Sequence, residues 1–153
     1  MKLQPYREGS LFAVPLREGG YATGLVARMS PTGRVILAYL FGPKREVVPE
    51  LAEVQHLQAG DALKALRTGD MALANGRWPV IGDAHDWQRG AWPVPLFIRR
   101  ADALKRAWRA TYSDEDPGKS VREESVPYET EGLEADSLYG YGSVELLLTK
   151  LLT

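Results

Sequence analysis

The chain has 153 residues, a formal net charge of −1 at pH 7 and no cysteine. This length suits a single domain over residues 1–153, which can bury a core without cross-links. The absence of cysteine excludes disulfides, thiolate metal sites and a cysteine nucleophile. Residues 1–10 are too polar for the core of a signal peptide, and no apolar run approaches the ~18 residues of a membrane span. We therefore expect a cytoplasmic protein.

The first third of the chain predicts three antiparallel strands joined by short turns. GSLFAVPL (residues 9–16) is the first, and Pro15 within it indicates a strand at the edge of a sheet. YATGLVARM (residues 21–29) follows a glycine turn. VILAYLF (residues 35–41) is a nearly continuous apolar run, which is typical of a central strand covered on both faces, and Gly42-Pro43 is expected to end it.

The middle of the chain is less regular. We expect a short helical turn within residues 49–57, a strand at residues 62–67, a tight turn at Asn75-Gly76 and a strand that starts near Trp78-Pro79. WPVPLFIRR (residues 92–100) predicts another strand, and its two prolines again indicate an edge.

Residues 102–110 fit both helical and strand spacing. A strand is favoured because DEDPG (residues 114–118) predicts a turn, after which residues 119–126 can pair back as a hairpin.

The chain ends on LYGYGSVELLLTKLL (residues 138–152), where two glycines precede a predicted helix. The glycines permit backbone angles that other residues avoid, and we expect a positive φ at Gly142. Ser143 is expected to cap the helix, and Glu145 to complement its dipole. The acidic surroundings and the lack of a lysine after the last glycine argue against a phosphate-binding loop. The predicted apolar stripe comprises Val144, Leu147, Leu148 and Leu151, widened by Leu146 and Leu152.

These elements together predict a mainly β (α+β) fold. The expected architecture is a curved antiparallel sheet or a small, partly open barrel, closed by the C-terminal helix.

Local motifs for catalysis are weak. GDAHDW (residues 82–87) places Asp83, His85 and Asp86 together, but a metal site needs at least three supported ligands, so a solvated loop is favoured. No GxSxG elbow occurs, and the adjacent Glu123 and Glu124 would point to opposite faces of a strand. We expect no catalytic residue, no cofactor, no metal site and no enzymatic activity.

Charge is unevenly distributed. Residues 113–136 contain nine acids and two bases, a net charge of −7. This acidic segment is either solvated, paired with basic residues of the same molecule, or a docking face for a basic partner. A basic cluster interleaved with Phe97 and Trp108 resembles the surfaces that bind single-stranded nucleic acid; it comprises Arg99, Arg100, Lys105, Arg106 and Arg109.

Four motifs in this order, GSLFAVPL, YATGLV, RWPVIG and LYGYGSVELLL, resemble the bacterial immunity protein 26 family. The resemblance implies a mostly β cytoplasmic antidote, encoded beside a polymorphic toxin, that binds and blocks the toxin and catalyses nothing. It also implies a set of signature positions, to which the residues themselves assign mostly structural roles: Trp78, Pro79, Gly82, Tyr139, Gly140, Gly142 and Glu145.

The function we expect is therefore neutralisation of a cognate toxin domain by stoichiometric binding that occludes its active site. The alternatives are a small-ligand or single-stranded nucleic-acid binding module and, last, a hydrolase with dispersed carboxylates. A toxin that cuts nucleic acid is expected to be basic where it holds phosphates. Acidic residues of this protein would then face the toxin. The candidate toxin-facing residues are Asp114, Glu115, Asp116, Glu123, Glu124, Glu129 and Glu131. We expect neither a membrane nor nucleic acid as a partner.

Overall fold

The computed structural model describes residues 5–153. Its strands are β1 (Ser10–Pro15), β2 (Tyr21–Met29), β3 (Val35–Arg45), β4 (Lys64–Gly69), β5 (Val80–Asp83), β6 (Phe97–Ala101), β7 (Arg106–Tyr112), β8 (Ser120–Val126), β9 (Glu134–Ala135) and β10 (Leu138–Tyr139). Its α-helices are α1 (Leu51–Val54), α2 (Met71–Ala74) and α3 (Tyr141–Leu152). None of the helices in this part of the chain is long and apolar enough to cross a membrane.

The strands form two open sheets. The larger has the order β10-β4-β3-β2-β1-β5, and the smaller has the order β8-β7-β6-β9. Neighbours pair antiparallel except at β10 on β4 and β9 on β6, which are parallel. Neither sheet closes into a barrel. The predicted mainly β class with a C-terminal helix is confirmed, in the form of open sheets.

Strands β1 to β3 are buried on both faces because each face contributes to a separate core. Phe12 and Val26 belong to the first core, which also contains Val144 and Leu148 of α3. The neighbouring side chains Leu11, Leu25 and Leu37 belong to the second core, together with Trp92 and Phe97. The larger sheet thus lies between α3 and the smaller sheet. This explains why VILAYLF is apolar at almost every position.

Both predictions of an edge strand from proline are wrong. β1 lies between β2 and β5, but β5 pairs only with Ser10 to Phe12. Pro15 therefore lies beyond that ladder, where its missing N–H costs no bond to β5. β6 lies between β7 and β9, and Pro93 and Pro95 precede its first residue.

The structure extends or resolves two other predictions. The prediction that Gly42-Pro43 ends the third strand is wrong, since β3 continues through this pair to Arg45, and the facing ladder of β2 has a register irregularity there, between Tyr21 and Thr23. Residues 102–104 form a 3₁₀ turn, and β7 follows and pairs with β8. The strand and hairpin predicted there are confirmed.

Helix α3 differs from its prediction at its start and on its buried face. Gly140 is the N-cap residue, so Ser143 lies inside the first turn and caps nothing, and Gly142 is a helical residue rather than one with a positive φ. Leu148 is fully buried as predicted, whereas Leu151 is 45% exposed and Leu146 is similarly exposed. The helix instead buries Val144, Glu145, Leu148 and Thr149, with Leu147 and Leu152 at the margin of the core.

Candidate functional site

Glu145 lies on the buried face of α3, where its carboxylate is completely buried and is surrounded by hydrogen-bond donors. Arg77 donates from Nε to Oε2 at 2.7 Å and from Nη2 to Oε1 at 2.8 Å. Trp78 donates from its indole Nε1 to Oε2 at 3.0 Å, and Nε of Arg17 lies 3.3 Å from Oε1. Burial alone would raise the pKa of Glu145, but these hydrogen bonds and the two cations together lower it. The predicted role of Glu145 at the helix dipole is wrong, because the first turn of α3 contains no acid and Glu145 lies beyond it, as a buried, ionised anchor.

The turn that follows α2 places Arg77 and Trp78 against Glu145. Gly76 adopts φ 83°, and Asn75 Oδ1 accepts a hydrogen bond from the backbone N–H of Arg77 at 2.9 Å. The indole of Trp78 then stacks on Phe12, with ring centroids 5.4 Å apart and an interplanar angle of 4°. The tight turn predicted at Asn75-Gly76 is present, and it directly follows α2.

The other signature positions make backbone contacts. The Pro79 carbonyl accepts from the Ala13 N–H at 3.0 Å, and the Tyr139 carbonyl accepts from Thr68 Oγ1 at 2.9 Å. A Cβ at Gly82 would lie 2.9 Å from Leu51. Near α3, Gly140 is the N-cap residue and the Gly142 carbonyl accepts from Arg17 Nη2 at 3.2 Å.

The acidic segment is divided between paired and free carboxylates. The paired residues each contact a base or a backbone N–H: Asp114 with Arg28 (3.0 Å) and Arg89, Glu115 with Arg89 (3.7 Å), Asp116 with the Gly118 N–H (2.9 Å), Glu123 with Arg99 (2.7 Å) and Glu124 with Arg109 (3.0 Å). Glu129 and Glu131 are exposed and form no ion pair within residues 5–153. Within residues 5–153 the carboxylates of this segment without an ion pair are therefore those of Asp116, Glu129 and Glu131, and the 83%-exposed Glu115 has only the long contact to Arg89.

Two of the paired carboxylates are held in their ionised form. Burial would raise the pKa of Asp114, but hydrogen bonds from Arg89 and Arg28 lower it below its ordinary value. The hydrogen bond from Arg109 lowers the pKa of Glu124. The acidic segment is therefore fixed in part to the body of the protein by charge pairs.

The predicted basic cluster does not form an open stacking platform. The Arg99 guanidinium lies over the Trp108 ring, 4.2 Å from its centroid, and also bonds to Glu123. Arg100 donates to the carbonyls of Tyr128 (3.0 Å) and Thr130. Phe97 is buried in the second core. The geometry therefore does not favour binding of single-stranded nucleic acid through this cluster.

A cleft of about 530 Å³ brings together His56 and His85, whose ring centroids lie 4.8 Å apart. The backbone N–H of His85 donates to the Gln55 carbonyl at 2.9 Å, and this bond joins the loop after β5 to the end of α1. Residues 5–153 contain no group of three potential metal ligands. Sequence reasoning missed the pair because nothing in the local pattern shows that α1 packs on β5.

A model of the Immunity protein 26 family matches residues 7–109. The chain belongs to the Immunity protein 26 family. The part that matches contains Arg77, Trp78 and the whole lining of the cleft, whereas the acidic segment and α3 follow it. No curated protein and no solved structure gives a significant match.

Proposed function

We propose that this Immunity protein 26 member neutralises a cognate bacterial toxin by stoichiometric binding that occludes the toxin's active site. The observation that carries the proposal is the family match over residues 7–109. An antidote of this kind needs a fixed surface, because preorganisation lowers the entropic cost of binding. The charge pairs at Asp114, Glu123 and Glu124 support such a surface, since they tie the acidic segment to arginines of other segments.

We infer that the toxin-facing surface includes the acidic segment and that the partner is a basic nuclease domain. Enzymes that hold nucleic acid present cations to phosphates. Opposite charges across an interface speed the encounter and select the partner. Glu115, Glu129 and Glu131 support this assignment most directly, because Glu129 and Glu131 have no ion pair within residues 5–153 and Glu115 has only a long one. Asp116, Glu123 and Glu124 would contribute as carboxylates held in fixed positions.

The proposal is tested by co-expression with the product of the neighbouring toxin gene. We expect the toxin alone to stop growth, the pair to grow normally, and the two chains to co-purify in equal amounts. A harmless neighbour, or a toxin that still kills when the antidote is expressed at matched levels, would contradict the proposal. Glu145→Ala, which removes a buried anchor, serves as the control for loss of folded antidote.

A further inference from the structure

The cleft beside His56 and His85 is a formed cavity of the size that binds small ligands or long side chains. Its walls are the loop after α1 (residues 55–60) and the loop after β5 (residues 84–92). Trp87 packs on Gly9, where a Cβ would lie 3.0 Å from the indole, and Trp92 makes T-shaped contacts with Tyr39 and Phe41. The aromatic wall is therefore anchored in the second core.

The loop after β5 is held in an unusual conformation at the cleft. Asp86 has φ 49°, in the left-handed region that few non-glycine residues occupy. Such residues concentrate at binding sites, where the surrounding structure holds them in place. Here the His85–Gln55 backbone bond immediately precedes Asp86 and fixes the loop.

The lining has the chemistry of a site for a cation. It contains no lysine and no arginine, and its one carboxylate is that of Asp86. Trp87 and the largely buried Trp92 supply the aromatic wall, and Gln88 Nε2 lies 3.5 Å from Asp86 Oδ1, to which it donates. The nearest base in the sequence, Arg89, bonds to Glu8 and Asp114.

We propose that the cleft binds an arginine side chain presented by the partner protein. The guanidinium lies against Trp87, and its N–H groups donate to the carboxylate of Asp86. A long side chain buried in an aromatic pocket is a typical anchor of a protein interface. Binding of the guanidinium is independent of the function proposed above, whereas the identity of the partner as the toxin rests on it.

The first test uses the isolated protein and two ligands of the same shape. N-acetyl-arginine amide is positively charged, and N-acetyl-citrulline amide is its neutral counterpart. The chain has two histidines and both line the cleft, so imidazole NMR signals report on this site alone. We expect saturable shifts of both imidazole signals with the arginine compound and at least fivefold weaker binding of the citrulline compound. Equal effects of the two compounds, or no shift up to their solubility limit, would overturn the proposal.

Two variants complete the test. Asp86→Asn should weaken arginine binding at least fivefold, whereas Glu46→Gln, at an exposed acid outside the cleft, should leave it unchanged. In the toxin complex, Asp86→Asn should raise the dissociation rate at least tenfold at an unchanged Tm. An unchanged dissociation rate would overturn the assignment of the arginine to the toxin. A complex that never forms would contradict the proposed function, while the ligand titration would still decide the site.

Discussion

The indole N–H of Trp78 donates to the carboxylate of Glu145 at 3.0 Å, and both side chains are fully buried. Trp78 belongs to the segment that leads into β5, and Glu145 belongs to α3, so this bond ties the C-terminal helix to the far edge of the larger sheet. Arg77 and Arg17 complete the environment of the carboxylate from partly exposed positions. The helix is therefore docked by one buried charge as well as by its apolar face.

The buried charge predicts how stability depends on pH. The pKa of Glu145 is lowered in the folded state, so its contribution is fully present above the unfolded value of about 4.3 and is lost as pH falls through the folded value. Glu145→Gln, which keeps the shape without the charge, should unfold at lower urea at pH 7. The difference in unfolding free energy from the parent should shrink below about pH 4. A difference that stays constant from pH 7 to pH 3 would contradict this role.

The apolar face of α3 gives a second prediction. Leu148 is fully buried in the first core, so Leu148→Ala should lower the free energy of unfolding by about 2–5 kcal/mol. Leu151 carries the same side chain one turn later but is 45% exposed, so Leu151→Ala should lower the free energy of unfolding by only about 1 kcal/mol or less. Urea denaturation monitored by circular dichroism measures both. Equal costs would show that the helix is not docked in this way.

The close approach of β1 and β2 at Gly24 gives a third prediction. Gly24 faces Phe12 across the strands, and a Cβ there would lie 2.3 Å from the ring. Gly24→Ala should therefore lower the free energy of unfolding by about 1–3 kcal/mol, because the Phe12 ring cannot move without disturbing its stacking on Trp78. Gly60→Ala is the matched control, since a Cβ at Gly60 meets nothing within 4 Å. A Gly24→Ala protein with the Tm of the parent would rule out this tight contact.

The sequence predicted most of the local structure because hydrophobic periodicity and turn residues are local signals. β2 was predicted at its observed bounds, and the hairpin was predicted with a return strand at residues 119–126, which is observed at Ser120–Val126. The position of Glu145 was not predicted, because its partners Arg77 and Trp78 lie more than 60 residues away. The leucine pattern therefore predicted that Leu151 is part of the buried face of α3, whereas that face contains Glu145 and Thr149. Thr149 Oγ1 accepts a hydrogen bond from the backbone N–H of Arg17 at 2.9 Å.

The internal pairing of the acidic segment could be predicted from the sequence only in part. Composition located the acidic segment, but it could not show which carboxylates are already used within the molecule. Asp114 contacts Arg28, which lies 86 residues away in the sequence. In the basic cluster that precedes the segment, Arg99 pairs with Glu123 and Arg109 pairs with Glu124. Long-range contacts of this kind follow from the sheet order and not from any local pattern.

Charge reversal tests the acidic surface. Glu129→Lys with Glu131→Lys should slow association with the toxin about tenfold or more at low salt, at an unchanged Tm, because neither residue has an internal ion pair within residues 5–153. Glu18→Lys with Glu46→Lys is the matched control, since it makes the same change of net charge at two exposed acids elsewhere. Stopped-flow mixing measures the rates. Equal slowing by both pairs would point to net charge alone and contradict a local interface.

The most direct measurement of the central claim is a titration of toxin activity with this protein at concentrations well above the dissociation constant. Stoichiometric occlusion predicts that residual activity falls linearly with added protein, reaches zero at one molecule per toxin and does not change with longer incubation. Loss of all activity at a small fraction of one equivalent, progressing with time, would show that the protein acts catalytically on the toxin or its substrate and would contradict the account.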